Sequence, residues 1–263
     1  MKTTDKLQNA RIFFFSLLLI IFLFPQLYAQ KDVINTPQGE LSVFTINHGS
    51  LVLQWQNKTI YVDPYGGASL FKHISPPDLI LISDIHGDHY NPETLMDLPY
   101  KQAQFIVPQA VAELMKDQNI EKNKVIVINN GEQKEMLNLL IEAVPMYNLP
   151  ESAESRHTKG RGNGYIISSG KTRIYISGDT EDIPEMRKLK NIDVAFICMN
   201  LPYTMSVNQA ADAVLDFKPK IVYPYHYRGE GGKLSDVEEF KKLVNAKNPK
   251  IEVRLRDWYS SQK

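Results

Sequence analysis

The stretch Leu79-Ile80-Leu81-Ile82-Ser83-Asp84-Ile85-His86-Gly87-Asp88-His89 decides how this chain can fold. It opens with a short, continuous apolar run, which is typical of a strand buried on both faces. Polar residues crowd the segment after that strand, and four of them carry metal-ligating atoms: Asp84, His86, Asp88 and His89. Desolvating two carboxylates and two imidazoles side by side is costly unless a cation pairs with them. We therefore expect a divalent metal at the end of this strand.

Strand-like runs lie on both sides of this segment. Residues 41–46, 51–55 and 59–62 are short apolar runs separated by turn residues, and they predict consecutive strands. Asn91 followed by Pro92 predicts a helix that begins at Pro92, with Asn91 as its N-cap. This order of elements is typical of a sheet with helices packed on one face.

The second half of the chain repeats this plan. Residues 164–168 and 172–177 predict a hairpin. Residues 207–217 and 235–244 predict helices, the second of them capped by Ser235. Two such halves can pack sheet against sheet with helices outside, so we predict an α/β sandwich.

Two segments do not follow this plan. Residues 148–163 form a long irregular stretch, and long loops inside compact domains are often functional. Residues 254–259 alternate like an edge strand, and we assign them no chemistry.

The charge of the chain disfavours one class of function. Lys and Arg together number 30, and so do Asp and Glu. Residues 1–29 carry a net charge of +2, which leaves 27 basic and 29 acidic residues in the remainder. Because no basic surplus is available to neutralise phosphates, we expect a small-molecule substrate and no nucleic-acid partner.

The N-terminus has the pattern of an export signal. Basic residues precede an apolar run at 12–24, and Leu27-Tyr28-Ala29 offers a small-residue cleavage site. We predict a signal peptide at 1–29 and one hydrolase domain at 30–263, located in the periplasm or outside the cell. We expect no stable membrane insertion after the signal is removed; the alternative is an uncleaved N-terminal anchor.

The segment Asp84–His89 resembles the His-x-His-x-Asp-His signature of the metallo-β-lactamase superfamily. Three further segments match that family in its order along the chain: Val62-Asp63-Pro64, Ser177-Gly178-Asp179-Thr180 and Tyr223-Pro224-Tyr225-His226. The sequence is most similar to the branch that contains ascorbate-6-phosphate lactonase, the UPF0173 hydrolases and N-acyl-phosphatidylethanolamine phospholipase D. The phrases that support this branch are Thr59–Pro64, Arg173–Thr180 and Tyr203-Thr204-Met205. The resemblance implies a four-layer αβ/βα sandwich.

The resemblance also implies one or two divalent ions and a role for each site residue. The first ion would be bound by Asp84, His86 and either Asn148 or His157. The second ion would be bound by Asp88, His89 and His226. Asp179 would bridge the two ions, and Asp63 would orient the ligands from outside, as Asn148 would if it is not itself a ligand.

Two departures from the family pattern affect the first ion. Asp84 replaces the first histidine of the signature. An oxygen ligand favours Mn or Fe(II) over zinc, the metal otherwise expected; the alternative is that this metal position is poorly occupied. The family's next histidine is also missing, because the chain after residues 139–143 reads Val144-Pro145-Met146-Tyr147-Asn148. His157 is the nearest substitute.

These expectations define the predicted chemistry. A metal-bound hydroxide would cleave an ester, lactone or phosphodiester bond, and Asp88 would accept a proton. Weaker candidates for contact with substrate are Tyr147, Tyr203 and His48. One alternative is a metal-binding module on the same fold whose catalysis is weakened or lost. Another is a metal-centred oxidoreductase.

Overall fold

The computed structural model describes residues 30–118 and 120–259. In this part of the chain two seven-stranded mixed sheets pack against each other, and helices cover their outer faces. This architecture confirms the predicted four-layer αβ/βα sandwich. None of the helices described is long and apolar enough to cross a bilayer. The predicted signal peptide lies outside the described residues.

The first sheet has strand order β1-β2-β3-β4-β5-β6-β7. Its first four strands form an antiparallel meander, and β4 to β7 are parallel. Helices α1 and α2 are the crossovers within the parallel part. The strands and helices of this half are β1 (Gln30–Thr36), β2 (Gly39–Asn47), β3 (Ser50–Trp55), β4 (Lys58–Val62), β5 (Leu79–Leu81), α1 (Pro92–Asp97), β6 (Gln104–Val107), α2 (Gln109–Met115) and β7 (Val125–Val127).

The second sheet has strand order β14-β13-β12-β11-β10-β9-β8. It too passes from antiparallel pairing, in β8 to β11, to parallel pairing, in β11 to β14. The elements of this half are β8 (Gln133–Met136), β9 (Leu139–Met146), β10 (Gly162–Ser169), β11 (Thr172–Ile176), α3 (Pro184–Arg187), β12 (Val194–Cys198), α4 (Val207–Phe217), β13 (Ile221–Tyr225), α5 (Val237–Lys247) and β14 (Glu252–Val253).

Alternation along the strands separates the core into two layers. Leu79 and Leu81 of β5 face the second sheet and join the large core between the sheets. Ile80, together with Ile82 just beyond the strand, faces the opposite way and packs in the smaller core that includes residues of α1 and α2. A strand that is apolar on both faces is therefore buried on both faces, as its sequence predicts.

Hydrogen bonds join the two sheets at the end of β5. The hydroxyl of Tyr165 on β10 donates to the Ile82 carbonyl at 2.7 Å. The backbone N–H of Asn163 donates to the backbone carbonyl of Ser83 at 2.9 Å. Since Ser83 directly precedes the metal-ligating segment, these contacts hold that segment against the second sheet.

Most of the predicted elements are present, including the Asn91 N-cap, whose side chain accepts the Thr94 N–H. The prediction that Ser235 caps the last helix is wrong, because the Ser235 hydroxyl donates to the Met199 carbonyl. Asp236 takes that place and accepts the Glu239 N–H at 2.9 Å.

The predicted edge strand at 254–259 is also wrong, since β14 contains only Glu252–Val253. The residues after β14 turn inward, and Trp258 is completely buried. The edge strands β1 and β8 were not predicted, because their mostly exposed sequences lack an alternating apolar face.

Removing the Tyr165 hydroxyl should destabilise the protein measurably. Tyr165→Phe leaves the Ile82 carbonyl without this buried donor, which costs about 1–2 kcal/mol and lowers Tm by about 2–6 °C. The matched control is Tyr175→Phe, because the Tyr175 hydroxyl is buried without a hydrogen-bond partner in the described part of the chain. Calorimetry should show an unchanged or higher Tm for that control. Equal losses in the two variants would contradict the assignment.

Candidate metal centre

The predicted site residues meet at one end of the sandwich, where the parallel strands of both sheets terminate. Asp63 follows β4, and the segment Asp84–His89 follows β5. Asp179 follows β11, and His226 follows β13. Carboxyl ends of parallel strands are where side chains from separate strands converge in α/β sheets.

A tight turn shapes the segment after β5. The His86 carbonyl accepts hydrogen bonds from the amides of His89, at 2.9 Å, and Tyr90, at 2.8 Å. This turn leads directly into the Asn91 cap of α1. It directs the side chains of His86 and His89 toward the junction of the two sheets.

The first group of ligand atoms, which we call the His89 cluster, contains Asp88, His89, Asp179 and His226. His89 Nε2 lies 3.3 Å from Asp179 Oδ2 and 3.3 Å from His226 Nε2. His226 Nε2 lies 3.3 Å from Asp179 Oδ1 and 3.4 Å from Asp88 Oδ2. Both histidines are completely buried, whereas the Asp88 side chain is 28% exposed. The cluster is therefore open to solvent on the Asp88 side.

The second group, the Asp84 cluster, contains Asp84, His86 and His157, whose ligand atoms lie within 4.8 Å of one another. His86 Nδ1 lies 2.8 Å from Asp84 Oδ2. His157 Nε2 lies 3.9 Å from that oxygen and 3.2 Å from Asp179 Oδ2. Asp179 therefore stands between the two clusters, in the position expected of a bridging carboxylate.

Asp63 contacts His89 at Nδ1, whereas Nε2 of the same ring lies among the cluster atoms. Its Oδ2 lies 2.8 Å from His89 Nδ1 and accepts the Ser83 hydroxyl at 2.6 Å. Its Oδ1 accepts the Ser83 amide N–H at 2.7 Å. The neighbouring carboxylates raise the pKa of His89, so the metal-free ring carries a proton on each nitrogen. On metal binding the Nε2 proton would leave, and Asp63 would hold the remaining proton at Nδ1, so that Nε2 would serve as the ligand atom.

Strained backbone accompanies these contacts. His48, Asp63 and His226 have φ angles of 57°, 44° and 46°, in the left-handed region that side chains other than glycine seldom adopt. Gly49 packs so closely that a Cβ there would lie 2.7 Å from His226 Cδ2. Such strain concentrates at functional sites, where the surrounding structure fixes it.

The buried polar atoms of the two clusters fit a divalent cation. Asp179 Oδ1 and both ring nitrogens of His157 are buried and make no hydrogen bond of acceptable geometry within residues 30–118 and 120–259. Leaving such atoms unsatisfied costs about 1–3 kcal/mol each. Imidazole and carboxylate groups are ligands of zinc, iron and manganese, so this set matches the predicted metal.

Asp179 and Asp84 are ionised although both are buried, because their neighbours lower the pKa values of the two carboxyl groups. Burial opposes ionisation of Asp179, but the charges of His226 and His89 hold its pKa well below the ordinary range. Burial also opposes ionisation of Asp84, yet hydrogen bonds from His86 and Arg161 bring its pKa to about 2. Both carboxylates are therefore charged at neutral pH.

Of the two alternatives for the missing ligand, the structure brings His157 into the cluster and not Asn148. The Asn148 side-chain amide donates to Glu181 Oε1 and to the Tyr203 carbonyl. Its oxygen accepts the His157 amide N–H at 2.8 Å. Asn148 thus holds the His157 loop in place.

The weaker candidates differ in position. The Tyr147 hydroxyl donates at 2.9 Å to Glu185 Oε2, a residue of neither cluster, and its contact with substrate stays a prediction. Tyr203 is half-buried, with the Arg156 guanidinium 4.4 Å from its ring centre. His48 is buried, and its Nε2 lies 3.2 Å from Asp88 Oδ2.

Burial and the charge of His226 lower the pKa of His48 to about 4, so its ring is neutral at pH 7. A neutral ring can donate from Nε2 to Asp88 and accept at Nδ1 the Tyr259 hydroxyl, which lies 3.0 Å away. The Tyr259 hydroxyl in turn accepts the Arg228 amide N–H. One tautomer therefore satisfies the whole chain of contacts.

Sequence reasoning missed two residues of the site. Arg161 binds both carboxylate oxygens of Asp84, at 3.0 and 2.8 Å. Tyr259 supports His48 although its segment was assigned no chemistry. Neither belongs to a motif. The available signal for Arg161 was its place in the irregular segment 148–163, and Tyr259 had no signal.

Comparison with known proteins points to one family. The Beta-lactamase superfamily domain matches residues 42–226. A UPF0173 metal-dependent hydrolase of Nanoarchaeum equitans is 29% identical over 218 residues, covering 81% of this chain and 95% of the relative.

Solved structures show the same likeness. A protein of Parabacteroides distasonis assigned to the metal-dependent hydrolases is 39% identical, with a TM-score of 0.75, covering 87% of this chain and 99% of that chain. Igni18, a metallo hydrolase of Ignicoccus hospitalis, shares the fold at 22% identity, with a TM-score of 0.70 over 82% of this chain and 95% of its own.

Weakening the Asp63–His89 contact should weaken metal binding. Asp63→Asn removes the charge that orients His89, and we expect zinc affinity, measured by competition with a chelator, to fall about 10–100-fold. Circular dichroism should show a folded protein. Asp78→Asn is the control, because Asp78 accepts the Thr59 N–H at the other end of β5 and should not affect zinc. Unchanged affinity in Asp63→Asn would remove Asp63 from the supporting role.

Proposed function

Because this chain belongs to the metallo-β-lactamase superfamily, in its UPF0173 branch of metal-dependent hydrolases, we propose that it hydrolyses an ester, lactone or phosphodiester bond of a small molecule. The observation that carries the proposal is the convergence of Asp88, His89, Asp179 and His226 at the edge shared by the two sheets. Carboxylates and imidazoles placed in this way bind a divalent ion and leave one side open to substrate.

The residues that would hold a metal are those of the His89 cluster and, for a second ion, the Asp84 cluster. When bound, a divalent cation lowers the pKa of a coordinated water and stabilises negative charge on a substrate oxygen. The His89 cluster offers two imidazoles and two carboxylates, and the Asp84 cluster offers two imidazoles and one carboxylate. Zinc, iron and manganese all accept ligands of both kinds. Asp179 faces both clusters and would bridge two ions.

Asp88 is the carboxylate of the site that faces solvent. Burial opposes its ionisation, but the charge of His89 and the contacts from His226 and His48 hold its pKa well below the ordinary range. We propose that Asp88 accepts a hydrogen bond from the attacking water and then its proton, the role that the sequence predicts.

His48 and Tyr259 fix the orientation of Asp88. The His48 ring packs against the His226 ring at a tilt of 45°, with centroids 3.9 Å apart, and contacts Asp88 through Nε2. Tyr259 holds the opposite side of the His48 ring. Together, His48, His226 and Tyr259 keep the partly exposed carboxylate of Asp88 in one position while the substrate enters.

We place substrate entry beside Tyr203 and the loop that contains Asn148 and His157, because Asn148 donates to the Tyr203 carbonyl and His157 lies in the Asp84 cluster. Arg156 of that loop packs over the Tyr203 ring, so an aromatic and a cationic surface border the entrance. Such a rim suits a substrate with an acyl or phosphate group next to an apolar part.

We also propose that the protein acts outside the cytoplasm. The support is the sequence of residues 1–29, whose basic start, apolar run and small-residue site form the pattern of a cleaved signal. The substrate would then be a molecule met in the periplasm or outside the cell.

A substrate panel tests the proposed function. Protein loaded with zinc or manganese should hydrolyse p-nitrophenyl acetate, a γ-lactone or bis(p-nitrophenyl) phosphate faster than a β-lactam. Asp179→Asn should lower that turnover more than about 100-fold, beyond the range for residues that only support ligands. His89→Ala should lose both the bound metal and the turnover.

The control carboxylate variant is Asp193→Asn. Asp193 accepts the Arg173 N–H at the start of β12, outside both clusters, and should leave turnover unchanged. Full metal stoichiometry in Asp179→Asn and in His89→Ala would contradict the ligand assignment. Bound metal without turnover of any substrate would favour the alternative of a binding module.

Export is tested separately. When the full-length gene is expressed in a Gram-negative host, the protein should be found in the periplasm. Its mass should be that of a chain that begins at Gln30. A variant lacking residues 2–29 should stay in the cytoplasm. Protein of full-length mass in the membrane fraction would instead support an uncleaved N-terminal anchor.

A further inference from the structure

Arg161 forms a bidentate ion pair with Asp84, the carboxylate of the Asp84 cluster. Its Nε donates to Asp84 Oδ1 at 3.0 Å, and its Nη2 donates to Asp84 Oδ2 at 2.8 Å. The Asp84 side chain is completely buried, and that of Arg161 is 19% exposed. Bidentate pairs of this kind are among the strongest charge-assisted hydrogen bonds.

The backbone places Arg161 at this position. The next residue, Gly162, starts β10 against the metal-ligating segment, where a Cβ would lie only 2.7 Å from the Ser83 carbonyl oxygen. The following Asn163 donates its amide N–H to that same carbonyl. The strand that joins the two sheets therefore also delivers the guanidinium to Asp84.

The His89 cluster has no such internal cation. Within residues 30–118 and 120–259, the ion pairs of Asp63, Asp88 and Asp179 are with histidines, and no Lys or Arg takes part. The two carboxylates of this cluster, Asp88 and Asp179, are thus available to balance a metal, and Asp63 adds a third negative charge next to them. At the Asp84 cluster the single carboxylate is already balanced.

We propose that Arg161 is a built-in cation that makes the two metal positions unequal, so that the protein binds one divalent ion tightly at the His89 cluster and a second only weakly at the Asp84 cluster. This inference rests on the proposed metal-dependent function. Arginine cannot lose its proton in a protein, so a second ion must approach a fixed positive charge and compete for both oxygens of Asp84.

The remaining ligands of the Asp84 cluster do not compensate for that competition. His86 and His157 offer imidazole nitrogens, which as metal ligands are neutral. Asp179 is shared with the His89 cluster, whose ion would hold it first. The protein's own charge distribution therefore favours one ion.

Metal titration tests the inference. Chelator-treated protein is titrated with Zn²⁺ in a calorimeter, and metal content is measured after dialysis. Wild-type protein should retain one zinc. Arg161→Gln should raise the affinity for a second zinc by at least about tenfold, because a positive charge next to the second position is removed.

Arg156→Gln is the matched control. Arg156 lies in the same loop, but its guanidinium packs over the Tyr203 ring outside both clusters. The same substitution there should leave both zinc affinities unchanged. An equal gain in Arg156→Gln would show a general charge effect and overturn the specific role of Arg161.

Asp84→Asn provides a second test, because Arg161→Gln leaves a buried carboxylate without its partner and risks unfolding. If Asp84 binds only the weak ion, this variant should keep the tight zinc with its affinity changed by less than about threefold, below the range for supporting residues.

The outcomes separate this inference from the proposed function. Two equally tight zinc ions in wild-type protein, no gain in Arg161→Gln, or loss of the tight zinc in Asp84→Asn would each overturn the role of Arg161. Each of these results still leaves a metal-dependent hydrolase. Wild-type protein that binds neither zinc, manganese nor iron would overturn both proposals.

Discussion

Buried negative charge is the constraint on which the rest of this structure depends. Asp63, Asp84 and Asp179 are almost completely removed from water, and Asp88 lies beside them. A carboxylate in such surroundings is stable only when positive charge or several donors face it. The imidazoles, the guanidinium of Arg161 and the hydroxyl of Ser83 are all arranged around these four groups. The same demand explains why the residues fit a divalent ion.

The two-sheet architecture makes this arrangement possible. Each sheet contributes parallel strands whose carboxyl ends reach the same edge, so residues far apart in the chain meet there. His89 comes from the first sheet and His226 from the second, yet their Nε2 atoms lie 3.3 Å apart. The left-handed backbone at Asp63 and His226 directs these side chains inward and is held by the packing around it.

Sequence patterns predicted the sandwich and the metal-ligating segment because both depend on local signals. The apolar run of β5 and the dense polar residues after it are visible in eleven consecutive positions. Arg161 and Tyr259 could not be found in this way, since each acts through a contact with a residue distant in sequence. The N-cap of the last helix was predicted at Ser235 and is Asp236 for the same reason, because the Ser235 hydroxyl donates to the carbonyl of Met199, which is distant in sequence.

The position of the site between the sheets has a consequence for the life of the protein. An ion held by His89 and His226 would join one half of the sandwich to the other, in addition to the hydrogen bonds of Tyr165 and Asn163. Binding to the folded state alone stabilises that state. Protein that lacks the ion would then unfold more readily and be cleaved sooner by proteases.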